Sequence, residues 1–200
     1  MSNAPRATLK DLLPERQSTW SRVLWWALAL PAFGTGLYAI AMQDARQDRA
    51  MFYGQAWVDY LHFAAGGLAL IVGVFAFRRD VLRKRLRLHR KLGMAYMFAV
   101  LLSGITAVLM ATVSFAGPVT NWGFGALGVL WLLTSGVGLL AVKRKQLAGH
   151  RRWMVRSYAL CYAAVTLRIQ LGPLTAWFDG DFAPPSRTVG PGRKLGLVID

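Results

Sequence analysis

The chain has a single cysteine, Cys161, so neither a disulfide scaffold nor a cysteine-rich zinc cluster can be built from it. Acid is scarce: Asp+Glu number 9 in 200 residues, and charged residues of both signs reach 16%, against about 25% in an ordinary soluble chain. No Gly-rich phosphate loop, no G-x-S-x-G nucleophile turn and no H-E-x-x-H metal helix occurs in the sequence. The few carboxylates fall almost entirely between or beyond the apolar runs, which leaves no pair for general acid–base work inside them. These absences set aside disulfide modules and the soluble types of enzyme. Disorder is excluded by an abundance instead, with 8 Trp, 6 Tyr and 10 Phe.

Hydrophobic residues make up 55% of the chain and the mean hydropathy is +0.37. A soluble globule of this size cannot hide that much apolar side chain, so the composition describes an integral membrane protein. The formal net charge of +15 would suggest nucleic acid in a soluble domain. Here the cations cluster between apolar runs, where they orient helices and meet anionic lipid headgroups. No nucleic-acid partner is expected.

A hydrocarbon core about 30 Å thick asks for roughly 20 apolar residues per helix. Runs of that kind cover about residues 23–42, 57–77, 92–116, 122–142 and 153–177. The first is too long for the h-region of a cleaved signal peptide and reads as a retained anchor, with Pro31 tolerable inside it. The expected fold is therefore all-α: a transmembrane bundle of five spans over residues 20–178, with polar tails at 1–19 and 179–200 that read as disordered. Lys and Arg number 17 in the N-terminal tail, the second loop and the fourth loop, against 5 on the other side. The positive-inside rule then puts the N-terminus in the cytoplasm and the C-terminus outside, in a bacterial inner membrane. Trp20, Trp57, Trp122, Trp153 and Trp177 stand at span ends, as interfacial anchors do.

Polar groups inside hydrocarbon face the bundle interior and are site candidates. Helical spacing aligns His150, Met154, Ser157, Cys161, Ala164 and Arg168 on one face of the fifth span. Asp59, His62, Gly66, Ala69 and Gly73 share a face of the second, and His89, Gly93, Tyr96, Val100, Ser103 and Ala107 share one of the third. Gly125, Gly128, Trp131, Ser135 and Gly138 form a softer stripe on the fourth. Sorted by depth, these give an outer polar pocket of Asp59, His62 and Arg168, and an inner zone of His89 and His150 with Tyr96, Arg90 and Arg151. The plain alternatives are an Asp59–Arg168 ion pair, small residues for helix packing, and Cys161 as a buried small side chain.

The stretches LHRKLGMAY (Leu88–Tyr96), HRRWMVRSYAL (His150–Leu160) and AAVTLR ending at Arg168, with His62 followed by Gly66-Gly67, resemble the domain of unknown function 2306 family of bacterial membrane proteins. The resemblance covers Trp57 to Leu171. It implies a multi-span inner-membrane protein, carries over no catalytic residue, and draws attention to His62, His89, His150, Arg156 and Arg168.

Three functions fit. The first is a non-catalytic accessory or scaffold protein that contacts anionic lipid or a membrane-protein partner, itself included. The second is a redox module in which His89 and His150 ligate b-type haem iron, Arg90 and Arg151 neutralise the propionates, and a quinone or proton route uses His62 with Arg168. The third is a small transporter built on Asp59, His62 and Arg168, which the lack of internal repeats disfavours.

Overall fold

The computed structural model describes residues 19–41, 56–113 and 117–177. Six helices occupy them: α1 Thr19–Ala41, α2 Ala56–Ala76, α3 Arg79–Lys84, α4 Leu86–Val113, α5 Pro118–Lys143 and α6 Leu147–Trp177. No strand occurs among the described residues. The helices α1, α2, α4 and α5 are long and apolar enough to cross a membrane. The 31-residue α6 is long enough too, but its arginines and hydroxyl residues make it less apolar than the other four. The expected tails lie outside the described residues.

The helices overshoot the apolar runs that announced them. α4 begins at Leu86 rather than Leu92, α5 at Pro118 rather than Trp122, and α6 at Leu147 rather than Trp153. Hydrophobic periodicity marks where a helix meets lipid, whereas the backbone ladder continues as long as the residues permit, and Lys, Arg and Leu are good helix formers. The basic segment expected as a loop contains the six-residue α3. α5 starts on Gly117, at φ 94°, followed by Pro118, whose missing N–H costs nothing at a first helical position. Pro31 lies inside α1 without ending it.

The chain divides into two compact units, Met1–Val165 and Thr166–Asp200. In the first, neighbouring long helices run antiparallel. Gly36 meets Gly67 while Trp25 lies 5.3 Å under the Arg78 guanidinium, which fixes α1 against α2. His62 and Gly66 meet Ser103 while Ala76 meets His89, which fixes α2 against α4. Gly125 faces Ala111 and Gly128 faces Ala107, so α5 descends along α4; Ser135 meets Ser157 and Gly138 meets Met154, so α6 climbs back along α5. α4 and α6 are therefore parallel. One end of the unit gathers the starts of α1, α4 and α6, the ends of α2 and α5, and all of α3. Most of the described Lys and Arg lie at that basic end.

The interior is made largely of small side chains, including Ala29, Ala32, Ala69 and Ala99, beside Tyr96, Val100, Trp131 and Val165. Large apolar residues such as Phe98, Leu101, Ile105, Leu130 and Leu133 face outward. That inversion suits a bundle solvated by lipid, where close backbone approach replaces the hydrophobic effect between helices. The closest approach joins α1 to α2: a Cβ on Gly67 would sit 2.6 Å from the Gly36 carbonyl oxygen and 2.9 Å from Ile40. Gly34, on the exposed face of α1, has open space around it. Gly67→Val is accordingly expected to destabilise the folded protein by about 1–3 kcal/mol through overpacking, and Gly34→Val to leave it unchanged. Thermal unfolding of both variants in detergent checks this, and equal melting temperatures would contradict the packing.

Candidate functional site

Four side chains from three helices close a hydrogen-bonded ring at the centre of the first unit. The Trp131 Nε1 lies 3.4 Å from the Tyr96 hydroxyl, that hydroxyl 2.8 Å from Ser157 Oγ, and Ser157 Oγ 2.6 Å from Ser135 Oγ. Ser135 Oγ lies in turn 2.7 Å from the Trp131 carbonyl oxygen. The chemistry at the two ends orders every proton. An indole N–H can only donate and a carbonyl can only accept, so Ser135 donates to Trp131, Ser157 to Ser135, Tyr96 to Ser157, and Trp131 to Tyr96. Each hydroxyl gives once and receives once. Tyr96 and Ser135 are 1% exposed and Ser157 is fully buried, so this ring is how those groups are satisfied without water.

The ring sets the register of α4 against α6. His89 lies seven residues before Tyr96, and His150 seven residues before Ser157. Seven residues are two turns, about 10 Å along the axis, on nearly the same face. Because the two helices are parallel, His89 and His150 stand at about one level, toward the basic end, His89 bonded to α2 and His150 to α5.

All three histidines are held in the same way. His89 Nδ1 lies 3.2 Å from the Ala76 carbonyl, His150 Nδ1 2.8 Å from that of Gly138, and His62 Nδ1 2.9 Å from that of Ser103. A carbonyl accepts, so each Nδ1 carries the hydrogen and, in the neutral ring, each Nε2 carries the lone pair. His62 is doubly tied, because Ser103 Oγ donates back to the His62 carbonyl at 3.0 Å. These bonds run to α2, α5 and α4, and none of the three rings caps its own helix.

The other expected site residues fall as follows. Arg90 and Arg151 are exposed at the basic end, next in sequence to the two histidines. Asp59 is partly buried in the first turn of α2. Arg168 belongs to the second unit and is partly buried. On the outer face of α6, Ala148, Arg151, Arg152, Val155 and Arg156 line an open groove of about 580 Å³. Side chains on a helix lean toward its N-terminus, and Arg156 does so, placing its guanidinium 4.6 Å above the Trp153 ring. Cys161 is a buried free thiol. Among the described residues no group of three or more His, Cys, Asp or Glu forms a metal site.

Sequence reading missed Tyr158 and Tyr162, whose hydroxyls donate to the carbonyls of Leu70 and Leu28. Tyr158 packs on Gly73 and lies 5.2 Å from Phe77 by ring centroids. The signal was present in Gly73, a small residue opposite a tyrosine, but pairing the two requires knowing that α2 and α6 touch.

A bundle of long apolar helices with lipid-facing leucines, an inward polar ring and one basic end is the build of a polytopic helical membrane protein. The chain belongs to the family described as "Predicted membrane protein (DUF2306)", whose profile matches residues 59–192. The matched stretch includes all three histidines and every member of the polar ring. No curated protein matches the chain, and no solved structure does.

The ring makes a quantitative expectation. Interhelical hydrogen bonds in membranes are worth about 0.6 kcal/mol on average and up to about 1.7. Ser157→Ala breaks two such bonds at once and leaves the Tyr96 hydrogen and the Ser135 oxygen unmatched. A loss of about 1–2 kcal/mol is expected, with Ser135→Ala adding little to it in the double variant because one ring is broken in either case. Denaturant unfolding in mixed micelles measures both; full additivity would mean that the groups act singly.

Proposed function

We propose that this chain is a five-span inner-membrane protein, N-terminus cytoplasmic and C-terminus outside, that acts as a non-catalytic accessory or scaffold by holding anionic lipid at its basic end. The observation that carries the reading is the groove on α6. Arg151, Arg152 and Arg156 line it with Val155 and Ala148, so cations and apolar surface alternate within one helical face. Arg156 reaches back across Trp153, which brings a guanidinium rooted below the interface up to the level of the headgroups. Phosphate oxygens meet guanidinium in a bidentate fork, and an acyl chain has the outward apolar face of α6 to follow.

The fifth span is supported by the length of α6, whose 31 residues extend about 46 Å, and by its inward polar groups. Ser157 finds its partners inside the bundle, and Cys161 is buried there. The orientation is supported by the collection of Lys and Arg at one end.

Two measurements test this. A reporter fused after residue 180 is expected to read as periplasmic, and a cytoplasmic signal would overturn the topology. Protein extracted from membranes of mixed phosphatidylglycerol and phosphatidylcholine is expected to retain phosphatidylglycerol in native mass spectra, and to lose it in the Arg152→Gln/Arg156→Gln variant. Equal retention of the two lipids, or no change in the variant, would overturn the lipid reading.

A further inference from the structure

We infer, with the anionic-lipid reading of the α6 groove as the starting point, that its occupant is a lipid carrying two phosphates on one glycerol bridge, of the cardiolipin type. Three observations point there. The first is the order of residues around the helix. With Arg152 as the reference direction and about 100° per residue, Ala148 and Val155 lie about 40° and 60° to one side, and Arg151 about 100° to that side. Arg156 lies about 40° to the other. Ala148 and Val155 therefore form an apolar strip, with Arg151 on one flank and Arg152 and Arg156 on the other. Together they line the groove of about 580 Å³, a volume within the range of about 300–1,000 Å³ that small-molecule sites occupy.

The second is depth. Arg156 is rooted about 6 Å further along the axis than Arg152, but its guanidinium is drawn back over the Trp153 ring, 4.6 Å from the centroid. The backbone levels of residues 151–153 span only about 3 Å. The cations thus make an arc across the helix near one depth, not a column along it. The phosphates of one leaflet also lie at one depth, so an arc suits two phosphates side by side. A column would leave its deeper cation below the phosphate plane.

The third is charge. Neither α5 nor α6 contains an Asp or Glu, so nothing on these two helices offsets the three arginines of the groove. One phosphodiester brings a single negative charge and engages one guanidinium fork well. Two phosphates on one bridge bring two charges, one to each flank of the strip, and the second binds as part of a molecule already held. Beyond the phosphates, the exposed Val155 and Ala159 are short side chains on the same side of α6, which leaves its outer face open to acyl chains. Basic sites on the cytoplasmic side of membrane helices take cardiolipin headgroups on this chemistry.

The test is a competition. Protein extracted from membranes holding phosphatidylcholine, phosphatidylglycerol, phosphatidate and cardiolipin at equal phosphate is expected to retain one cardiolipin per chain in native mass spectra. Its preference over phosphatidylglycerol is expected to be about tenfold or more, because the two phosphates are linked. Phosphatidate, whose charge sits on a single phosphate, is expected to bind well below cardiolipin. Arg151→Gln is expected to bring the ratio of cardiolipin to phosphatidylglycerol close to one. Lys84→Gln, which removes an exposed cation outside the groove, is expected to leave that ratio unchanged. Equal retention of cardiolipin and phosphatidylglycerol would overturn the two-phosphate assignment while leaving the anionic-lipid reading in place. Retention of phosphatidylcholine as readily as of any anionic lipid would overturn both. A preference that survives Arg151→Gln, one lost equally in Lys84→Gln, or phosphatidate matching cardiolipin also overturns the assignment. Should Arg151→Gln fail to fold, the wild-type competition decides alone.

Discussion

A bilayer supplies no water to a buried hydroxyl, and that constraint explains why one ring of four side chains organises this bundle. Among the described residues, Trp131, Tyr96, Ser157 and Ser135 bond with one another and with the Trp131 carbonyl. Rotating α4, α5 or α6 by a single residue, about 100°, would carry a hydroxyl out of the ring and strand its neighbours. The ring therefore fixes three rotations and three depths at once. Small residues around it, Gly104 against Leu132 and Gly128 against Ala107, let the helices come near enough for those bonds. The histidine level, two turns away, inherits its alignment from this point.

The same constraint accounts for the odd composition of α6. It is the least apolar of the long helices, yet it contacts α1 and α2 through Tyr162 and Tyr158, α4 through Ser157, and α5 through Ser157 and Met154. Its hydroxyls at Ser157, Tyr158 and Tyr162 are spent on its neighbours. A helix that must bond to several others cannot also be uniformly apolar, so hydropathy undervalues the helix most involved in assembly.

What was legible in the sequence follows from this. Helical spacing put Gly66, Ala69 and Gly73, and Tyr96, Val100 and Ser103, on inward faces, and those faces are inward. Periodicity reports a face because burial imposes it. It does not report a partner: the Ala76 and Gly138 carbonyls that hold His89 and His150 have no side-chain signature, since every residue has a carbonyl. Nor does it report a helix end, because Arg87, Arg90 and Lys91 extend the α4 ladder beyond the apolar run that defined the expected span. The shared depth of the two histidines was readable from their places at the starts of two spans, whereas the register that fixes it rests on the Tyr96–Ser157 contact.

Two surfaces of α6 at the basic end are chemically distinct, and the helix keeps them apart. His150, Met154, Ser157 and Cys161 form the packed side, while Arg152, Val155 and Arg156 form the open one. At 100° per residue, Arg152 stands about 200° round from His150 and Arg156 about 240°, so the groove and the imidazole are on opposite sides of one cylinder about 10 Å across. Under the proposed reading, a phosphate at Arg152 and Arg156 would neutralise charge on the lipid side without approaching the imidazole. Arg151, about 100° round from both His150 and Arg152, stands between the two faces. A single helix thus keeps its cationic outer face apart from the face that packs against α4 and α5. That division is available only because the buried ring prevents α6 from turning.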